Sequence, residues 1–190
     1  MALSSKTYQD VFLESVTVTR PAFTAVTPNL AKLYARVDAS IDDEIITLLI
    51  ESAQKAFETY TQSPLYQSTV TAEFSASSGN IRFQVPLKPI VSIASVQQNG
   101  SDIDYQKQGN WLVIDSFNSK KGLITIEYTA GLYEENDTID PDIKEGLLKY
   151  ITSNYNDRED TVIGNRGVEV VTTMPNDSKS KWKPFRYVRF

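Results

Sequence analysis

The sequence predicts an α+β protein. It has a helical body (a long helix plus a C-terminal helix), a small antiparallel β-hairpin region, an extended N-terminal arm and a C-terminal tail. Three observations carry that prediction. Apolar residues recur every three to four positions over about 42–61 and again over 141–156, as on a helix with one buried face. Over about 68–129 the pattern changes to short alternating runs separated by turn residues, which reads as strands. Neither end of the chain holds a regular period. The 190 residues are read as one domain at 27–159, with an arm at 1–26 and a flexible segment and tail at 160–190.

In the arm, Val16-Thr17-Val18-Thr19 alternates like a short strand until Pro21 interrupts it. The segment reads as an arm lying on the domain or on a neighbouring subunit. Thr27-Pro28 then opens a short helix over about 28–34, because a threonine oxygen takes up a free amide and proline suits the first helical position. The long helix, about 42–61, follows Ser40 and Asp43 in capping-box spacing. Asp42, Asp43 and Glu44 sit where the helix dipole favours carboxylates. Its expected apolar face is Ile45, Leu48, Leu49, Ala53, Ala56, Phe57 and Tyr60. At ~1.5 Å per residue this is the longest single element.

In the β-region, turns are expected at Ser77-Ser78-Gly79-Asn80, Asn99-Gly100 and Gly109-Asn110. Asn-Gly is the strongest of these, since both central residues of a type I′ turn need positive φ. Three hairpins then make a meander or a small sandwich. Alternation fails between Ile93 and Val96, where a bulge is expected. Asp140-Pro141 starts the last helix, 141–156, with Ile143, Leu147, Leu148, Ile151 and Tyr155 on one face. Gly146 inside it costs about 1 kcal/mol relative to alanine, which points to a close contact with the long helix.

Composition narrows the function classes. There is no cysteine and no histidine, which removes disulfides, thiolate chemistry and the usual general base and metal ligand near neutral pH. No cofactor is expected. No apolar run approaches a bilayer span, and the first residues lack the order of a signal peptide. The chain is therefore expected to have no membrane partner and to stay where it is made. Lys179, Lys181, Lys183, Arg186 and Arg189 carry five positive charges with no acid among residues 179–190, against a net −5 for the whole chain. An acidic body with a basic, aromatic tail implies separate roles.

The acidic clusters have structural explanations. Asp42-Asp43-Glu44 reads as cap chemistry. Glu134, Glu135, Asp137, Asp140 and Asp142 lack the alternating ligand spacing of a calcium loop and read as a solvated loop. Gly164-Asn165-Arg166-Gly167 lacks the lysine of a phosphate loop and reads as a mobile loop. Asp157, Arg158 and Glu159 read either as solvated surface or as an intersubunit ion-pair site. Trp182, Phe185, Tyr187 and Phe190, interleaved with cations, have three readings: packing on the parent domain, docking on a partner protein, or stacking on nucleic acid. A carboxylate hydrolase, or a glycan-binding module using Trp111, is a further alternative to be tested by a glycan screen.

The ordered set of elements resembles a known family. Thr27-Pro28 with Leu30-Ala31-Lys32 and Arg36-Val37-Asp38 leads to Asp42-Asp43 and the long helix with Ala53, Phe57-Glu58 and Tyr60-Thr61. Then come Pro89-Ile90-Val91-Ser92-Ile93, Ile126-Glu127-Tyr128-Thr129-Ala130-Gly131, and a helix from Pro141 ending Tyr155-Asn156-Asp157-Arg158-Glu159. Over Thr27 to Glu159 this is similar to the head–tail connector (adaptor) proteins of long-tailed phages. Gly146 departs from the pattern, standing where alanine is common. The resemblance implies a non-enzymatic structural protein of the virion neck, assembled in the host cytoplasm. It further implies a dodecameric ring of copies under the portal protein, extending a channel through which DNA passes without sequence-specific binding. The other face would meet a downstream neck or tail-completion protein. It also implies a portal-docking C-terminus, carried here by Trp182, Phe185, Arg186, Tyr187, Arg189 and Phe190. On that basis, removing Lys181–Phe190 is expected to leave the domain folded. The alternative is a nucleic-acid-binding module using the same tail.

Overall fold

The structure, a computed structural model, describes residues 7–37, 42–119, 122–156, 161–164, 167–170 and 174–187. The chain is α+β with antiparallel sheets. It divides into two compact units: Met1–Pro21 with Tyr66–Glu135, and Ala22–Leu65 with Asn136–Phe190. The β-region is thus inserted in sequence between the segments of the helical unit, and it builds its own core.

The first unit contains β1 (Val11–Thr19), β2 (Ser68–Ala76), β3 (Gly79–Gln84), β4 (Ile90–Gln98), β5 (Ser101–Asp102), β6 (Gln106–Gln108), β7 (Trp111–Phe117) and β8 (Ile124–Ala130). They form a five-stranded sheet in the order β1-β2-β8-β4-β5 and a three-stranded sheet in the order β3-β7-β6. Alternate residues of both sheets point into one core: Val70, Ala72 and Phe74 from β2, Ile81 and Phe83 from β3, Ile124, Ile126 and Tyr128 from β8. The rings of Phe74 and Phe83 meet across it with centroids 4.5 Å apart. Burial pushes the Tyr128 phenol up to about 12, while its oxygen accepts the Leu87 amide at 3.3 Å.

This is a two-sheet arrangement, not a meander. β2 and β3 lie in different sheets, so Ser77–Asn80 carries the chain between sheets and closes no hairpin. Hairpins do form at Asn99-Gly100, with φ of 51° and 73°, and at Gly109-Asn110. The register of β4 on β8 shifts between Ile90 and Ser92 and between Ile93 and Ser95, the bulge that the broken alternation predicts. Gly131 has φ 150°, and a Cβ there would lie 2.7 Å from the Tyr66–Gln67 backbone, so only glycine fits. The N-terminal alternation begins earlier than expected. Residues 11–19 form a strand paired with β2 along its length, and Pro21 lies just beyond its end.

The second unit contains α1 (Pro28–Ala35), α2 (Asp43–Thr61), α3 (Pro141–Asn156), the hairpin β9 (Thr161–Gly164) and β10 (Gly167–Val170), and α4 (Asn176–Trp182), which runs into a 3-10 turn at Lys183–Phe185. Thr27 caps α1, its hydroxyl accepting the Leu30 amide at 3.3 Å. At α3 the Asp140 carboxylate accepts the Asp142 amide at 2.8 Å. The buried face of α2 differs from expectation: Ile46, Ile50, Ala53, Phe57 and Thr61 point inward, while Ile45 and Leu48 are exposed. Isoleucines and leucines form a broad stripe on the first turns of α2, so periodicity alone does not select which part of it faces inward. Ser40 lies outside the described residues. Asp42 precedes α2 without a side-chain cap bond, and its carboxylate accepts the Tyr155 hydroxyl at 2.7 Å.

Candidate assembly site at the C-terminal segment

The stretch after Asn156, expected to be flexible, contains the β9–β10 hairpin around Gly164–Gly167 and then α4. A seven-residue helix has little stability of its own, so tertiary contacts must hold it. The largest is Trp182, whose side chain is completely buried in the second unit. Its indole N–H donates to the Ile143 carbonyl at 3.3 Å. Phe57 meets the ring edge-on at 5.5 Å between centroids, and Tyr150 stacks on it at 6.2 Å.

Gly146 makes room for that ring. A Cβ on Gly146 would collide with Nε1 of Trp182 and come within 2.8 Å of Cδ1. The close contact expected of Gly146 therefore exists, but its partner is Trp182 rather than the long helix. The same overlap explains physically why alanine is absent here.

Next to Trp182, Lys181 is held between two carboxylates at the start of α3, Asp142 at 2.9 Å and Glu145 at 2.8 Å. Lys149 reaches Glu145 at 3.1 Å. The hydrogen bonds that Lys181 donates to Asp142 and then Glu145 hold its pKa above the ordinary value. Those from Lys181 and then Lys149 hold Glu145 below its own.

Past the 3-10 turn the chain runs along the end of α2. The Tyr187 amide donates to the Thr61 carbonyl at 3.0 Å, and the Arg186 guanidinium lies 5.2 Å over the Tyr60 ring. A cation there also faces the negative end of the helix dipole. Phe185 and Tyr187 are half-buried, whereas Lys183 and Arg186 are exposed.

The expected docking residues thus separate. Trp182 is enclosed by its own unit and unavailable to a partner, because a full indole fills the gap over Gly146. Phe185, Arg186 and Tyr187 remain at least partly accessible. Arg189, Phe190, Asp157, Arg158 and Glu159 lie outside the described residues. The expectation that removing Lys181–Phe190 spares the fold is corrected by the burial of Trp182. Sequence reading missed α4 itself. The signal available was a helix-interior glycine together with a distant tryptophan.

The remaining candidates have structural partners. Asp43 pairs with Lys32 at 2.6 Å, and Glu134 accepts from the Gln67 amide group at 3.3 Å. Trp111 has the Arg82 guanidinium 4.6 Å over its ring. An open cleft of about 540 Å³ is lined by Tyr34 of α1, Lys149, Thr152, Ser153 and Asn156 of α3, and Pro175–Asp177. Its lysine is the one paired with Glu145, so the cleft presents no paired acid and base. Among the described residues there is no cluster of three potential metal ligands, and no helix is long and apolar enough to cross a membrane.

No protein-family model and no curated protein matches the chain. Solved structures do. A chain from the neck of an empty GTA particle, computed with C6 symmetry, is similar with a TM-score of 0.66 and 14% identity, over 92% of this chain and 97% of that one. A chain from the virion of a native gene transfer agent (GTA) particle gives a TM-score of 0.62 and 13% identity, over 91% and 96%. A chain from the neck of a native GTA particle, computed with C12 symmetry, gives 0.60 and 16%, over 94% and 97%. Over nearly its whole length, this chain shares the fold of chains from the necks and virion of gene transfer agent particles.

Proposed function

We propose that this protein is a structural component of a phage-type virion neck, with no catalytic role. The observation that carries the reading is the near end-to-end fold match to neck chains, at a TM-score of 0.66 over 92% of this chain and 97% of that one. Two of the similar chains come from necks computed with sixfold and twelvefold symmetry, which supports a ring of copies, dodecameric in this reading. The ring sits beneath the portal protein, extends the DNA channel and presents its far face to the next neck or tail-completion protein. The helical unit supplies the body, and assembly takes place in the host cytoplasm before the chain is built into the virion. The lack of histidine and cysteine favours a role in assembly over chemistry.

Portal docking falls on the accessible part of the tail, Phe185, Arg186 and Tyr187, together with Arg189 and Phe190. Trp182 anchors α4, which fixes where Phe185, Arg186 and Tyr187 lie on the unit. Asp157, Arg158 and Glu159 remain candidates for ion pairs between copies. The nucleic-acid alternative is weakened because Lys181 is already held by two carboxylates.

The test is a chain ending at Phe185, which keeps α4 and the 3-10 turn. It is expected to retain the unfolding transition of the full chain and to lose copurification with the portal. Copurification at the full-length level would overturn the docking assignment. Immunogold labelling of particles tests the location. Label at the neck is expected, and label confined to the tail tip or the head shell would overturn the neck reading.

A further inference from the structure

We propose that β1 of one copy accepts the β9–β10 hairpin of a neighbouring copy, continuing the five-stranded sheet from subunit to subunit; this rests on the ring reading above. β1 is an outer strand of that sheet, nine residues long, and among the described residues no strand pairs with its outer edge. Proteins usually protect such an edge with lysine, proline, bulges or a covering element. β1 has one register shift, between Leu13 and Ser15, and contains neither lysine nor proline.

Its exposed side chains are those of an interior strand. Phe12 is 63% exposed, Leu13 44% and Val16 38%. Register sets Leu13 opposite Phe74, Val16 opposite Ala72 and Val18 opposite Val70, and all three β2 partners are buried in the core. Leu13 and Val16 therefore lie on the core side of the sheet and are still open to solvent. Val11 and Val18, near the two ends of β1, pack against the core, so the cover stops short over Leu13 and Val16 in the middle of the strand. Open apolar positions on an edge strand are suited to an added strand, which would supply both hydrogen bonds and cover.

The chain carries such an element. β9 and β10 form a sheet of two strands by themselves. An isolated hairpin is marginal in water, so this one calls for a sheet or an apolar face to join. Its antiparallel register pairs Ile163 with Val168 and Thr161 with Val170. Donor and acceptor surfaces differ, so the contact is head-to-tail, and a head-to-tail contact closes into a ring when the rotation permits. Each copy would give one hairpin and receive one. The four-residue strands match about half of β1, enough to cover Leu13 and Val16.

The test uses full-length protein assembled with its portal, with a benzoylphenylalanine photo-crosslinker in place of Phe12. Assemblies are made from equal parts of isotopically heavy and light chain. Irradiation is expected to yield heavy–light products joined to the peptide spanning 161–170. Products within a single chain would overturn the second-copy assignment. Products to another segment, or none from intact rings, would overturn the hairpin assignment. As a second variant, Leu13→Lys with Val16→Lys is expected to lower the ring fraction roughly tenfold or more while leaving the melting of the free subunit unchanged. An unchanged ring fraction counts against the proposal. If unsubstituted protein forms no ring, the proposed function fails first and this inference with it.

Discussion

Trp182 in α4 and Phe12 in β1 are both large aromatic residues near an end of the chain, and they have opposite surroundings. Trp182 is completely buried, its N–H satisfied by Ile143 and its ring packed between Phe57 and Tyr150. Phe12 is 63% exposed on a strand whose outer edge has, among the described residues, no strand beside it. The difference does not come from the aromatic residues. It comes from what each meets: Gly146 on α3 leaves a ring-sized gap for the indole, whereas Phe12 sits on the outermost strand of the five-stranded sheet, opposite Ser75 of β2. An aromatic residue near a terminus therefore marks assembly only when no gap in its own unit fits it.

The sharpest way to break this comparison is to truncate both residues. Trp182→Ala should destabilise the helical unit by about 3–5 kcal/mol, the usual range for a buried tryptophan. Phe12→Ala should stay within about 0.5 kcal/mol, as surface changes do. Denaturant unfolding of the free subunit measures both. Equal losses would mean that β1 is as much a part of a core as α4.

A smaller effect is expected at the gap itself. Gly146→Ala gains about 1 kcal/mol of helix propensity but drives a methyl into the indole, a clash that typically costs 1–3 kcal/mol, roughly. Net destabilisation is predicted, and Trp182→Leu in the same chain should recover part of it. Stabilisation by Gly146→Ala alone would mean that the ring yields easily and the gap is not what fixes α4.

The smallest effect concerns pH. Glu145 is held below its ordinary 4.5, so its contribution is present above that value and fades as pH falls through the lowered pKa. Lys181 is held above its ordinary 10.5, so its contribution is present below that value and fades only as pH rises through the raised pKa. Hydrogen exchange of the α4 amides should be flat in protection between these limits and weaken on the acid side, modestly, because the ion pairs are solvent-exposed. Lys181→Gln should remove the acid dependence. An acid dependence that survives this substitution would place the cause elsewhere.

What was legible in the sequence was mostly local. The threonine and aspartate starts of α1 and α3, the Asn99-Gly100 turn and the bulge in β4 each depend on residues next to one another. The less legible parts depend on distant ones. Ile45 and Leu48 belong to a helix whose first turns carry an apolar stripe (Ile45, Ile46, Leu48, Leu49, Ile50) wider than the buried face, so the inward side is set by what packs on it. The Ser77–Asn80 turn resembles a hairpin until sheet membership separates β2 from β3. In the candidate site, Trp182 stood out by its chemistry, but its partner Gly146 lies on another helix, and no local pattern connects the two.

The central proposal, a ring-forming neck subunit, is tested most directly by electron microscopy of the purified protein mixed with its portal. A closed ring of copies coaxial with the portal is the predicted result. Single copies scattered over the portal, or portal particles bearing none, would contradict it.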